Sequence, residues 1–539
     1  MWRSVALVLI LGAMALAPAG AQDGGGERTP VIGDVVVRTS NVFDSAQARS
    51  NILFRIANAI HVTTLPGVVR QELLFAPGQP YDSALVAETL RNLRARGLFR
   101  DVWADTSRSG DTVDVHLYTA DGWTTQLVLN ANSTGDTLTW AIGVQELNFL
   151  GTGARVGITY RQEANRSAVT VLGGLDRIAG TRFGFDGLYD NLSDGTVGVW
   201  RVGAPFTSLR DPLAIGLSGA SRDQRVLQFR NGLLEERFRR RLLFQRATVA
   251  FAPRASQTGY VRVGVSGQIK REEYLLESDT ALALPDTVTG AAGVFVDVAK
   301  ARFKVLTHYN GFDRDVDLDL SRRVALTVWL APEAFGYGRS GVAPSFAAQI
   351  GTAFGRQFAR LDFRANGLFT SAGMDSGQVW VGFTAASQAL DKQATVVHFE
   401  AGAQDGVAPG EEFTLGNSGT GFIGAIPVSP RSHGVGPRAF EPNAFTGTRM
   451  FWASLEHRIF VLDEVLGLLG LGLAAYVDYG GAWFADQPSR VGGNVGGGIR
   501  FGSTRSAGPN IGRLDLAYRF GDGTAGKRWV VSFGRGFPF

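Results

Sequence analysis

The chain has 539 residues, 70 of them glycine and none cysteine, with a formal net charge of +4. Disulfide scaffolds and thiolate metal sites are excluded, and the charge balance is too mild to argue for nucleic acid. Basic residues are almost all arginine, lysine standing only at 270, 300, 304, 392 and 527. Arginine suits a crowded polar lumen because its planar fork makes several fixed hydrogen bonds. A coding bias toward arginine would give the same composition.

Met1-Trp-Arg3 is a short charged start, and Val5 to Leu16 is an apolar run too short to span a bilayer as a helix. Ala19-Gly20-Ala21 is a small-x-small cleavage site. Residues 1–21 therefore read as a signal peptide, with a mature start at Gln22, and 22–30 as a linker. No cysteine follows the site, so no lipid anchor is expected, and no later stretch is apolar enough for a membrane-spanning helix.

Residues 31–120 mix periods. Val31–Arg38 reads as a strand, and Pro66 can open a helix continuing to Leu73. Asp82 or Ser83 caps a second helix, whose Val86, Leu90 and Leu93 share one face and which Gly97 ends. Phe99–Ala104 and Thr112–Thr119 follow as a hairpin. Within the segment 41–61, Ile52, Ile56 and Ile60 have helical spacing and predict an extra helix or ordered loop. The reading is one small α+β domain.

From 122 to 539 the pattern changes to period two, which puts alternate side chains on opposite faces of a strand. Val261, Val263, Val265 and Ile269 oppose Arg262, Ser266, Gln268 and Lys270. Leu361, Phe363 and Ala365 oppose Arg360, Asp362 and Arg364; Leu514, Leu516 and Tyr518 oppose Arg513, Asp515 and Arg519. Val324, Leu326, Val328 and Leu330 form another apolar set. Trp329, Phe335, Tyr337 and Trp483 near strand ends suit interfacial girdles. In the last strand Trp529, Val531, Phe533, Phe537 and Phe539 share one parity, a candidate C-terminal assembly signal. The expectation is a mainly β chain, a transmembrane antiparallel barrel of about 16 strands at ~10 residues each, preceded by the small α+β domain.

Several motifs carry a resemblance. Gly78-Gln-Pro-Tyr81, Leu90-Arg-Asn-Leu93 and Gly97-Leu-Phe99 resemble a POTRA (polypeptide-transport-associated) domain, placing it at 31–120. With the barrel, the chain resembles the BamA/TamA superfamily of outer-membrane assembly and translocation proteins, the bacterial surface antigen family. Gly143–Gly153 resembles that family's Glu-x-Asn-x-x-Gly-x-Gly turn. Gly436-Pro-Arg-Ala-Phe440, with Phe445-Thr-Gly447 and Glu456, resembles its Arg-Gly-aromatic loop, and Tyr476-Val-Asp-Tyr-Gly480 resembles the strand that holds it. Arg438 is thus expected at the tip of a plug loop, meeting the lumenal residues Asp478 and Glu456. Ala439 stands where the family carries glycine, so the tip is expected to be built differently.

The resemblance implies insertion or translocation of unfolded client proteins. The POTRA domain would meet clients in the periplasm, and the seam between the first and last strands would act as a lateral gate. Outer-membrane lipid, lipopolysaccharide and periplasmic or lipoprotein accessory subunits are the implied partners. An exporter of one secreted protein and a passive porin or receptor are the alternatives. The six histidines show no metal spacing, Gly467–Gly472 lacks a surrounding βαβ unit, and Arg237, Arg239 and Arg241 read as a charge row at a loop base. No enzyme, cofactor or metal is expected.

Overall fold

The computed structural model describes residues 29–134, 137–163, 165–230, 233–275, 284–416, 436–441, 443–508, 511–524 and 527–535. The signal-peptide reading of 1–21, most of the 22–30 linker, and Phe537 and Phe539 lie outside the described residues.

The N-terminal part is built on β1 (Val31–Ser40), β2 (Phe99–Ser109) and β3 (Thr112–Asp121), in sheet order β1-β3-β2. β1 runs parallel to β3, and β2 forms a hairpin with it. Four helices separate β1 from β2: α1 (Ser45–Ser50), α2 (Ile52–Ile60), α3 (Pro66–Arg70) and α4 (Ser83–Ala95). Asp82 caps α4 by accepting from Ala84 N at 2.9 Å, and Gly97 beyond its end has φ +63°, a conformation that favours glycine. Val69, Leu93, Leu98, Phe99 and Leu117 fill one core of this layer, and Ile32, Phe75, Val86 and Val115 a second.

The rest of the chain is one large antiparallel sheet, which among the described residues has 20 strands and runs round to meet itself. It begins with Thr125–Thr134 and ends with Trp529–Arg535. No described helix is long and apolar enough to cross a membrane; the strands carry an apolar outer wall instead. Leu127, Leu473, Val477, Val495, Leu516 and Val531 are exposed on it, while their neighbours Val128, Ala474, Asp478, Asn494, Asp515 and Ser532 are buried. The inner face pairs charges, as in Arg161 with Asp190 at 2.9 Å and Arg155 with Asp186 at 2.7 Å. An apolar exterior, a polar interior and backbone groups paired strand to strand define a membrane-spanning β-barrel.

Two expectations change. Among the described residues the sheet has 20 strands rather than about 16; several connections are two-residue turns, as at Gln257-Thr258 and Gly355-Arg356, which leaves more of the chain for strands. Trp329 is not a girdle residue. It opposes Gly293 inside, with the Arg246 guanidinium 5.1 Å from its ring centroid, while Val324, Leu326 and Leu330 are exposed outside.

One joint between the two parts lies at the connection after the second barrel strand. Asn148 Oδ1 accepts from Gly153 N at 2.8 Å, its Nδ2 donates to Thr64 Oγ1 at 2.8 Å, and Leu65 N donates to Gly151 O at 2.9 Å. Gly151 and Gly153 have φ +74° and +73°. Beside this joint Asp121, fully buried, accepts from Thr64 N at 2.6 Å through Oδ2, while Oδ1 has no protein partner.

Burial raises the Asp121 carboxyl to about 6, with Thr64 opposing. An acid whose folded pKa is raised is at no disadvantage below its unfolded value near 4; it destabilises progressively as pH rises from 4 to 6, and fully above. Two units correspond to roughly 3 kcal/mol. In the full chain, hydrogen-exchange protection of the Thr64 amide, corrected for intrinsic rate, is expected to fall as pH rises from 4 to 6.5. In Asp121→Asn that fall should vanish; an unchanged pH profile in the variant would refute the assignment.

Candidate functional site

The connection after Gln393–Asp405 runs to the next barrel strand, Arg449–Val465, at the end of the barrel away from the N-terminal domain. Its arms pair as Phe413–Leu415 with Phe445–Gly447. Only glycine fits at 447, since a Cβ there would stand 2.0 Å from the Trp483 carbonyl carbon. Phe440, Phe445, Phe413, Leu415, Trp380 and Met450 form an apolar core under these arms, the rings of Phe440 and Phe445 5.1 Å apart. Gly436 packs tightly on Gly416, where a Cβ would lie 2.7 Å from its nitrogen. This packing turns the segment 436–441 into the lumen.

Arg438 is buried at its tip. Its Nε and Nη2 donate to the two Asp478 oxygens, each at 2.9 Å. Nη1 donates to Glu456 at 2.6 Å, Nη2 also donates to Ser454 Oγ at 3.1 Å, and the Arg438 backbone N–H reaches Asp478 at 3.2 Å. The guanidinium lies 3.7 Å from the Tyr476 ring centroid, a stacked cation on an aromatic face. Asp478 accepts further bonds from Ser454 Oγ at 2.7 Å and Asn494 Nδ2 at 3.0 Å. These partners come from three consecutive strands, Arg449–Val465, Leu469–Trp483 and Gly492–Ser503, and share the inward parity. Bidentate, charge-assisted pairing is among the stronger polar contacts, and here water is excluded.

Ala439 is buried against Tyr476, Ala517 and Val530, and its amide donates to Asn494 Oδ1 at 3.2 Å. It is not among the residues with positive φ, so the tip keeps its shape without glycine. Beside it Arg519 holds Glu441 at 3.0 Å.

The cluster is larger than its sequence motifs. Arg458 donates to Glu456 at 3.1 Å, and Arg500 stands 3.9 Å from Glu456 while pairing with Asp515 at 2.6 Å. Arg438, Arg458 and Arg500 thus balance Glu456, Asp478 and Asp515, which is what makes burying six charges tolerable.

The N-terminal-domain end sends a second insert to the same place. The connection 301–321 forms its own hairpin, Phe303–Leu306 with Val316–Asp319. Arg458 Nη1 donates to Tyr309 O at 3.0 Å and Asn310 Oδ1 at 2.8 Å. The other side of this hairpin holds the N-terminal domain, through Arg94 to Asp317 at 2.6 Å and Arg314 to Phe99 O at 2.6 Å. Sequence reasoning missed this insert, and also Ser454 and Asn494; Tyr476 and Arg458 fell within the motifs that carry the resemblance but were given no part in holding the loop. Ser454 and Arg458 share the parity of Glu456 on its strand and Tyr476 that of Asp478, a signal that was available; Asn494 lies on the next strand, which carries neither.

Of the terminal aromatics, Phe533 is described. It lies on the last strand, its ring 6.0 Å from that of Phe501.

Fold and site together define an outer-membrane-type β-barrel with an arginine-tipped loop fixed inside it. No protein-family model matches the chain, and no curated protein matches it in sequence. Among solved structures, BamA from Haemophilus ducreyi lacking POTRA domains 1–3 is similar over 93% of this chain and 85% of that one, at 12% identity and a TM-score of 0.38. CdiB from Escherichia coli is similar over 96% and 92%, at 11% identity and 0.45. The FrpB iron transporter from Neisseria meningitidis is similar over 82% and 87%, at 9% and 0.40. These likenesses are too distant to carry a functional argument.

Proposed function

We propose that the chain is an outer-membrane protein that inserts or translocates client proteins. In this reading a signal peptide at 1–21 exports it, and residues 31–120 act as a POTRA domain in the periplasm. The observation that carries the reading is the seam. Trp529–Arg535 pairs with its predecessor strand from Gly512 to Tyr518. Toward the first strand, among the described residues, it pairs only at Ser532 with Asn132 and at Phe533 with Ala131. A backbone hydrogen bond contributes about 0.5–1.5 kcal/mol net, so the described part of this junction costs less to part than the junction on the other side of the last strand, with its seven pairs. Once parted, it offers free strand edges on which a client strand can pair.

The N-terminal domain stands at the foot of that seam. Trp123, which leads into the first strand, exchanges backbone hydrogen bonds with Arg505 and Ala507 in the connection beneath it. β1 and β2 are the outer strands of their sheet; residues 78–81 already bond the start of the β1 edge, and an extended client segment would pair on the rest of it or on β2. Loop 436–447 and the hairpin at 301–321 occupy the lumen from opposite ends, which favours a gated route over a passive pore. Phe533, Phe537 and Phe539 would serve as the chain's own assembly signal.

Depletion followed by quantitative proteomics of the outer membrane tests the reading. Other barrel proteins are expected to fall in abundance. Loss of a single secreted protein would assign a dedicated exporter instead. Unchanged protein levels with altered small-solute uptake would assign a porin and overturn the proposal.

A further inference from the structure

α2 is built the wrong way round for a helix on a soluble surface. Its polar Asn58 is turned inward, where the side chain accepts from Phe43 N at 3.1 Å and donates to Phe43 O at 2.7 Å. Asn41 Nδ2 donates to Asn58 O at 3.1 Å, and Phe54 stacks on Phe43 at 4.1 Å between ring centroids. The aliphatic side chains point away from the protein: Ile52, Leu53, Ile56 and Ile60 are 61%, 66%, 50% and 67% exposed. A water-facing helix carries its charged and polar residues on that side. Scattered exposed aliphatics are ordinary, but four on one helix form a patch that calls for an occupant.

The position of α2 says which occupant. A Cβ on Gly467 would come 3.2 Å from the Phe54 ring, and Leu65 just after the helix bonds to Gly151. α2 therefore lies at the rim of the barrel, between connections 466–468 and 150–153, which bracket the seam strands at the N-terminal-domain end. The rim itself is apolar there, with Leu466 86% and Leu150 64% exposed. From these residues the exposed apolar surface continues up the outer wall through Leu469, Leu473, Leu127 and Val531. That wall is the surface lipid covers. Arg49 and Arg55, both exposed, flank the patch with cations that can reach lipid phosphates.

We infer that α2 is an interfacial helix, lying in the bilayer leaflet on the N-terminal-domain side with Ile52, Leu53, Ile56 and Ile60 among the acyl chains. It fastens that domain to the membrane directly beneath the seam and brings apolar side chains into the lipid next to the first and last strands. The inference needs only that the barrel spans a bilayer; it does not depend on what passes through or along it.

The chain has no cysteine, so Ile56→Cys in the full-length protein can be labelled alone with an environment-sensitive fluorophore. The labelled protein is reconstituted in phosphatidylethanolamine–phosphatidylglycerol vesicles carrying nitroxides shallow or deep in the acyl chain. Blue-shifted emission is expected, quenched more strongly by the shallow nitroxide than by the deep one. A label at Ser109→Cys, on the exposed turn of the β2–β3 hairpin, should emit as in water and resist both quenchers. Adding Ile52→Asn and Ile60→Asn should at least halve the quenching at position 56, with barrel assembly checked by heat-modifiable migration. Water-like emission at position 56 would overturn the inference. So would blue-shifted emission that neither nitroxide quenches, since the patch would then be covered by protein, a second copy or a partner.

Discussion

Arg438→Ala is expected to release loop 436–447 from the lumen and to abolish function. The substitution leaves Asp478 fully buried with only the side chains of Ser454 and Asn494 and the 438 backbone N–H as partners, none of them charged, and leaves Glu456 with Arg458 and a distant Arg500. Breaking a buried pair by removing one member costs about 3–5 kcal/mol, because an uncompensated charge stays behind. Asp478→Ala takes away the bidentate partner but leaves Arg438 on Glu456 and Ser454, so it should cost less than Arg438→Ala while still loosening the loop. The double variant should cost less than the two single changes added together, since neither charge then lacks its partner. Arg438→Lys keeps the charge but cannot reach both Asp478 oxygens, Glu456 and Ser454 at once, and should fall between wild type and alanine. The readout is protease sensitivity of the loop in intact cells, run beside complementation of a depleted strain. Silent single variants, or strictly additive ones, would remove the cluster from any role in holding the loop.

A covalent lock on the seam is expected to have an equally large effect. Asn132 and Ser532 stand opposite each other across the junction of first and last strands. Residues directly opposed in an antiparallel pair bring their Cβ atoms to ~5 Å, within adjustment of disulfide geometry. With no native cysteine to compete, Asn132→Cys with Ser532→Cys should oxidise to a single bridge. Under the proposed function, the oxidised protein assembles normally but fails to complement, and reduction restores activity. Each single cysteine variant should be active throughout. Full activity of a protein shown to be bridged would rule out lateral opening at this junction, while leaving transport through the lumen intact.

Local features of the chain were legible because they depend on near neighbours alone. Period-two alternation marked Val261–Ile269, Leu361–Phe369 and Leu514–Tyr518 as strands. The same parity rule put Asp478 on the face opposite Leu473 and Val477, and the structure has it buried with those two exposed. The capping chemistry of Asp82 and the left-handed glycine at 97 are likewise read from a few adjacent residues.

Alternation of faces and the ends of the helices can be read straight from the chain, since side-chain direction and capping are settled within a few residues. The folded chain alone sets how many strands the sheet holds, because that depends on how tightly each turn closes. Only it decided that Trp329 faces Arg246 inside, that Ser454, Asn494 and Arg458 complete the cluster round Arg438, and that the hairpin at 301–321 reaches the same charges from the other mouth. Strand register and loop insertion bring these groups together from positions up to 185 residues apart (Tyr309 and Asn494), and no local periodicity encodes which of many inward-facing polar residues will meet.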